Sequence, residues 1–332
     1  MINPRIAVLT LAASLATVPA LAADKVSLKD PTGDDKGPGK YVYPTDPVYK
    51  PGSFDLTGFT LEKGGNKTDL TIQIKGSLEN PWKMADGFSV QEVFIFIDTD
   101  HKAGSGFTDS PPGLNIAFDG ADAWDKVIVI SPQGSSRVRA EANNKAGAMK
   151  GAVVVPTKVR ASGNKITATV MNADLGEGDP SQWGYQVVMQ SNEGFPADND
   201  LLTRRVNEYE GQHRFGGGTD FNCDPHVIDV LAGQGKGDGA EAKAQYDMLA
   251  YECNADGTAK KKATLRMVGP NRPSTTEARA AAPAPAQAAS PASPAPAPAP
   301  AVPAPAPVPT PAAPAGTSVA PAPAPTTASP TK

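Results

Sequence analysis

Two kinds of residue in this chain could do chemistry: clustered carboxylates and ring-bearing side chains in turn-rich segments. Acidic and glycine residues gather in four stretches, Asp30–Gly39 (DPTGDDKGPG), Asp98–Gly104 (DTDHKAG), Asp119–Asp125 (DGADAWD) and Gly216–Asp220 (GGGTD). Calcium takes six to eight oxygen ligands from carboxylates and carbonyls, and glycine permits the tight turns that present them. Asp34 and Asp35 in the first stretch, with Asp98 and Asp100 in the second, are therefore candidate calcium ligands. The spacing is not that of an EF-hand, because no Glu stands at the twelfth position from Asp98 and Asp109 is only an approximate counterpart. The competing reading is plain turn chemistry, in which Asp and Gly dominate for local backbone reasons.

The rings suggest a different use. Tyr41, Tyr43, Trp82 and Trp124 are candidates to stack on a sugar, since an aromatic face suits a flat, partly apolar ligand. Tyr41 and Tyr43 lie in a Gly/Pro-rich segment and Trp82 follows Pro81, settings that favour exposure. Against this, an aromatic in a β-rich domain is more often core. His101, His213 and His226 are scattered and fit surface or structural roles, with a metal or haem ligand as the alternative. No Gly-x-Ser-x-Gly, Walker loop, His-Glu-x-x-His or Cys-x-x-Cys-His is present.

The elements that must hold these residues read as strands. Apolar residues recur along 54–61, at Leu70, Ile72 and Ile74, and along 166–170 and 185–189. Val93–Ile97 and Val127–Ile130 are short continuous apolar runs, as expected of strands buried on both faces, and Val153–Val155 is similar. Turn signals such as Gly64-Gly65-Asn66, Pro111-Pro112-Gly113 and Ser162-Gly163-Asn164 separate them. The expectation is an all-β, antiparallel β-sandwich over residues 24–270 with one short C-terminal helix, Gly239–Glu252, which shows 3.6-residue spacing.

Both ends differ from this body. Residues 1–23 read as a signal peptide, an apolar run after Arg5 closing in Ala20-Leu21-Ala22. Residues 271–332 read as a disordered Ala/Pro-rich tail, with 21 Ala and 17 Pro between Ala280 and Lys332. Leaving out Arg5 and Lys332, the 31 basic residues fall to 29 against 35 acidic, a net −6 that argues against nucleic acid as a partner. No second apolar run is long enough to span a membrane. Export to an oxidising compartment makes Cys223 and Cys253 a reasonable disulfide pair, with free buried thiols as the alternative.

Taken together, several blocks resemble the C-terminal module of bacterial glucodextranases. They are Asp30-Pro-x-Gly-Asp-Asp-x-Gly-Pro-Gly-x-Tyr-x-Tyr-Pro-Thr45, Pro51-Gly-Ser-Phe-Asp-Leu56, Ile97-Asp-Thr-Asp100, Phe215-Gly-Gly-Gly-x-Asp220 and Asp224–Leu231. The resemblance spans roughly 26–268 and is loose between Arg137 and Asn172. It implies a sandwich similar to family-nine carbohydrate-binding modules, non-catalytic, secreted or periplasmic, or displayed at the cell surface. It implies a polysaccharide or cell-wall glycan as partner and calcium as an ion that fixes loops. No catalytic glucosidase domain precedes the module, so glucan hydrolysis does not carry over. Two other readings stand beside it: a structural surface protein that binds another protein, and a haem-binding redox module of related fold.

Overall fold

A computed structural model describes residues 24–192, 195–232 and 240–271; the leader and the Ala/Pro-rich tail fall outside them. In chain order the strands are β1 (Asp24–Lys29), β2 (Leu56–Gly64), β3 (Lys67–Ile74), β4 (Gln91–Asp98), β5 (Ile116–Phe118), β6 (Lys126–Ile130), β7 (Val153–Val154), β8 (Lys158–Ser162), β9 (Lys165–Met171), β10 (Gly184–Ser191), β11 (Asp229–Val230), β12 (Glu252–Cys253), β13 (Ala259–Lys261) and β14 (Ala263–Leu265). Three α-helices accompany them: α1 (Ser135–Lys145), α2 (Asn172–Leu175) and α3 (Ala240–Met248).

Two five-stranded sheets form the sandwich, ordered β1-β2-β3-β9-β8 and β11-β10-β4-β6-β7. All pairings in the first sheet are antiparallel. The second is antiparallel except where β7 runs parallel to β6. The main core lies between them, where Leu61, Leu70, Ile72, Ile166 and Val170 meet Val93, Ile95, Ile97, Val187 and Met189. Burying each such side chain contributes roughly 1.5–3 kcal/mol.

The apolar positions of β2 do not keep strict period two, since Leu56 and Phe59 are three apart and both fully buried. A bulge resolves the conflict: Leu56 pairs with Ile74 and Phe59 with Ile72, so three residues of β2 face two of β3. β4 and β10 are buried along their whole length. Their second face carries Phe94, Phe96 and Val188 and is covered by Val138 and Ala142 of α1, by Met248 and Leu249, and by Leu114, Leu201 and Leu202. The continuous run Val93–Ile97 is thus the middle layer of three.

The helix near the C-terminus forms as expected, but α1 is an addition to the expected architecture. Its sequence, SSRVRAEANNK, buries only Val138 and Ala142, so no apolar stripe announces it. Arg137–Glu141 and Glu141–Lys145 ion pairs at i, i+4 support it instead. Cys223 and Cys253 are bonded to each other.

Candidate functional site

The glycine run of 216–218 sits where three backbone segments cross. Val42 and Gly216 exchange both N–H···O bonds at 3.0 Å. A Cβ on Gly216 would lie 2.2 Å from the Glu210 nitrogen, one on Gly217 2.3 Å from the Lys40 carbonyl oxygen, and one on Gly218 2.3 Å from Asp224 Oδ2. Only glycine lets segments 40–42, 207–210 and 216–218 approach this closely. The result is a tightly packed crossing of backbone, with Gly216 buried and Gly217 and Gly218 partly exposed.

Exposed side chains stand in or next to these segments. Tyr209 is 72% exposed, Phe221 60% and Val42 46%. The segments that carry Tyr209 and Phe221 are neighbours, since the backbone N–H of Glu208 donates to Asp220 Oδ1 at 3.2 Å. Phe221 lies against Gly257, whose Cβ would meet the ring at 2.3 Å. Lys40 Nζ stands 5.0 Å from the centre of the Tyr251 ring. Aromatic faces flanked by Glu208, Asp220 and Lys40 offer what a pyranose ring needs: C–H stacking on one side and hydrogen bonds to hydroxyls at the edges. Sequence reasoning singled out the Gly216–Asp220 stretch for its glycines and acid, and missed Tyr209 and Phe221. The available signal was their position in an Asn/Asp/Gly-rich stretch without alternating apolar residues.

None of the four rings expected to stack is exposed, although Tyr41 borders Gly217 through its backbone. Trp124 is fully buried, packs on Phe96 and Phe107, and donates its Nε1–H to the Asp109 carbonyl at 3.0 Å. Tyr41 is 3% exposed and its hydroxyl donates to the Pro225 carbonyl. These two are corrected to core residues, for the reason that an indole N–H and a phenol each found an internal acceptor. Tyr43 and Trp82 are half-buried. They belong to a small aromatic cluster with Tyr49, Phe54 and Phe215, and the Tyr43 hydroxyl is committed to Asp35. Trp82 meets His213 edge-on at 5.8 Å. Phe215, which precedes Gly216 in the chain, anchors the glycine run to this cluster through its contacts with Tyr43, Tyr49 and Phe54.

The candidate calcium ligands separate into two clusters rather than one site. Asp98 and Asp100 group with Asp125. There the carboxylates are occupied by their own loop: Asp98 Oδ1 accepts from the backbone N–H of His101 at 2.8 Å, and Asp125 Oδ2 from Thr99 N at 2.8 Å and Thr99 Oγ1 at 2.7 Å. Asp100 accepts from Lys102 N at 2.9 Å and Ser105 Oγ at 3.0 Å. These contacts are those of a tight acidic turn, and the three carboxylates still present oxygens within 4.8 Å of one another.

Asp34 groups instead with Asp30 and Asp229, their oxygens within 4.8 Å of one another. Two further buried carboxylates lie in the neighbouring segments: Asp55, 1% exposed, which accepts from the Gly33 N–H, and Asp35, 6% exposed, which is turned toward Tyr43. These carboxylates come from the end of β1, the loop after it, the residue before β2, and β11. Backbone N–H groups fix their geometry: Ala232 to Asp30 Oδ1 at 2.8 Å, Gly33 to Asp55 Oδ2 at 2.8 Å and Leu56 to Asp229 Oδ2 at 2.7 Å. Gln245 of α3 braces these segments, accepting from Val230 N at 3.0 Å and donating to the Asp34 carbonyl. Burial first, then the neighbouring Asp30, Asp34 and Asp55 carboxylates, push the Asp229 carboxyl well above the usual range. Burial and Asp35 raise Asp55 likewise, with Lys75 at 3.3 Å offsetting part of that.

Neither carboxylate group includes a histidine among its closely spaced ligand atoms, although His101 Nδ1 lies 3.2 Å from Asp98 Oδ2. A depression of about 310 Å³ on the open face of the first sheet is lined by Asp69, Thr71, Lys158, Arg160, Thr167 and Thr169, and offers no ring. No helix among the described residues is long and apolar enough to cross a membrane.

Comparison with known proteins gives one family. No curated protein matches the chain. Residues 26–268 match the family described as the SLH-like C-terminal binding module of glucodextranase, a carbohydrate- or cell-envelope-binding module rather than a catalytic domain. That match covers most of the chain and agrees with the two-sheet body and its loop-built surface, and the protein therefore belongs to the glucodextranase C-terminal binding-module family.

Proposed function

We propose that this protein is an exported, non-catalytic module that holds a polysaccharide or cell-envelope glycan on the surface formed by Val42, Tyr209 and Phe221. The observation that carries the reading is the exposure of Tyr209 and Phe221, at 72% and 60%, beside a glycine run in a member of a binding-module family. Contiguous exposed apolar patches mark interaction surfaces, and three of the four large apolar side chains exposed among the described residues, all but Phe195, lie in these adjoining segments. The sugar would stack on these faces, while Glu208, Asp220 and Lys40 take its hydroxyls. The leader carries the chain out of the cytoplasm. The tail, if extended, gives a reach on the order of 160 Å between the module and whatever holds the C-terminus.

The test is a binding screen of the mature chain against insoluble cell-wall fractions and soluble α- and β-glucans, repeated with Tyr209→Ala/Phe221→Ala. Saturable binding that the double variant weakens supports the proposal. Capture of envelope protein from glycan-free fractions, with no glycan bound, favours a protein partner instead.

A further inference from the structure

We infer that the outward face of the first sheet, β1-β2-β3-β9-β8, is a second binding surface, and that it takes an anionic polysaccharide, a sugar chain bearing carboxylates or phosphates. It shares no residue with the surface at Tyr209 and Phe221, so either can bind without the other. Three observations lead to it. The first is charge. Side chains alternate between the two faces of a strand. Val26, Leu28, Leu61, Leu70, Ile72 and Ile166 point into the core. Their neighbours point outward, and among these stand Lys25, Lys29, Lys67, Lys158, Arg160 and Lys165, against only Glu62 and Asp69. Asp86 adds a third acid at the outer edge, beside Arg160, its carbonyl accepting from Ala161 N at 2.9 Å. Six basic residues against three acidic ones leave the face at +3, on a body whose net charge is −6.

The acids are also engaged already. Glu62 pairs with Lys25 at 3.5 Å, and Asp69 Oδ1 accepts from Thr169 Oγ1 at 2.6 Å. Among the described residues Lys29, Lys67, Lys158 and Lys165 enter no ion pair, which leaves four ammonium groups to a ligand.

The second observation is register. Ser27 pairs with Thr60, Thr60 with Thr71, Thr71 with Thr167, and Thr167 with Arg160. One line of hydroxyls therefore crosses four strands and ends on a guanidinium. At about 4.8 Å per strand it runs about 19 Å. Hydroxyls donate and accept, as sugar hydroxyls require, and a guanidinium binds a carboxylate or phosphate through two parallel bonds.

The third is shape. The depression of about 310 Å³ lies along this line at its Arg160 end, between Asp69 and Thr71 on one side and Lys158 and Arg160 on the other. It gives one sugar unit a recess where charge and hydroxyls meet. Among the described residues no aromatic side chain stands on the face, which disfavours a lipid surface, where apolar and aromatic side chains must insert. The acidic remainder of the body disfavours duplex nucleic acid.

The experiment titrates the mature chain with polygalacturonate and with phosphorylated dextran, and with plain dextran as the neutral probe. Both anionic probes should bind at low salt, phosphorylated dextran at least tenfold more tightly than plain dextran. Raising the salt from about 0.05 M to about 0.5 M should weaken them at least tenfold. Lys158→Glu/Arg160→Glu should weaken polygalacturonate at least tenfold, and Lys102→Glu, on the exposed loop after β4, should leave it unchanged. If the double variant fails to fold, Lys29→Gln/Lys165→Gln carries the test, with at least a threefold loss expected. Tyr209→Ala/Phe221→Ala should bind polygalacturonate as the wild type does, whether or not the ring surface holds a glycan. Absence of binding to both anionic probes at low salt overturns the inference, as does unchanged affinity in the charge variants or loss of polygalacturonate binding in the ring variant. Duplex DNA or phosphatidylglycerol vesicles bound as tightly as polygalacturonate overturn the assignment to a polysaccharide.

Discussion

Replacing Cys223 and Cys253 by serine removes the covalent link between the loop that carries Phe221 and β12. The two cysteines are 30 residues apart in sequence. In the chain-entropy description, a loop of that size makes the unfolded chain less favourable by about 3.7 kcal/mol at 25 °C. For a body of this size, 1 kcal/mol shifts the melting temperature by roughly 2–4 °C, so the expected drop is about 7–15 °C. The change should be uneven in space. Cys223 is fully buried beside Thr219, whose hydroxyl lies 3.6 Å from the sulfur, and Phe221 rests on Gly257 only a few residues beyond Cys253. Amide exchange should therefore quicken at residues 219–224 and 252–257, while β4 and β10 stay protected up to the global stability. Urea unfolding and hydrogen exchange on the oxidised protein, the reduced protein and Cys223→Ser/Cys253→Ser provide the assay. A loss below about 1 kcal/mol, or protection at 219–224 unchanged in the double variant, refutes the view that this bond holds the loop that carries Phe221.

Other outcomes follow from the same geometry. Glu92 is fully buried on β4, opposite Gln190 and beside Ser131, and burial holds its carboxyl well above the usual range. A raised folded-state value means stability that is present at low pH and is lost as pH rises toward that value, at about 1.4 kcal/mol per pH unit. Glu92→Gln removes this loss, so in urea unfolding the variant should gain on the wild type between pH 5 and pH 8; parallel profiles contradict this. Gly216→Ala places a Cβ 2.2 Å from a backbone nitrogen that cannot turn aside, and should cost about 2–4 kcal/mol by denaturant unfolding. The nearby Gly211, whose Cβ would meet nothing closer than 3.8 Å, should accept alanine with a change under about 1 kcal/mol.

The sandwich was legible because burial of both sheets leaves a simple trace. Apolar runs at 93–97 and 127–130 could be buried on both faces only in a middle layer, which is where β4 and β6 lie. Short strands without such a trace, among them β8 with its pattern of Lys158, Arg160 and Ser162 turned outward, were not marked by composition. Helix α1 escaped for the converse reason: ion pairs hold it, and it buries two small or medium side chains. The candidate site was legible in part. Acid and glycine stretches stand out in the sequence, but sequence spacing cannot say which stretches meet. Asp34 met Asp229, nearly two hundred residues away, and not Asp98. Ring exposure was the least legible property: Trp124 and Tyr209 both stand in polar, turn-rich stretches, yet Trp124 is fully buried and Tyr209 is exposed.

The central claim is that a surface of exposed rings holds a glycan without transforming it. Isothermal titration of the mature protein with solubilised cell-wall glycan, run for wild type and Tyr209→Ala/Phe221→Ala, addresses it most directly. Each ring covered by a sugar buries on the order of 50 Å² of apolar surface, about 1.2 kcal/mol, and the double variant should bind roughly thirty- to hundredfold more weakly at unchanged melting temperature, with no new reducing ends released. Equal affinity of the two proteins, or release of reducing sugar by the wild type, contradicts the account.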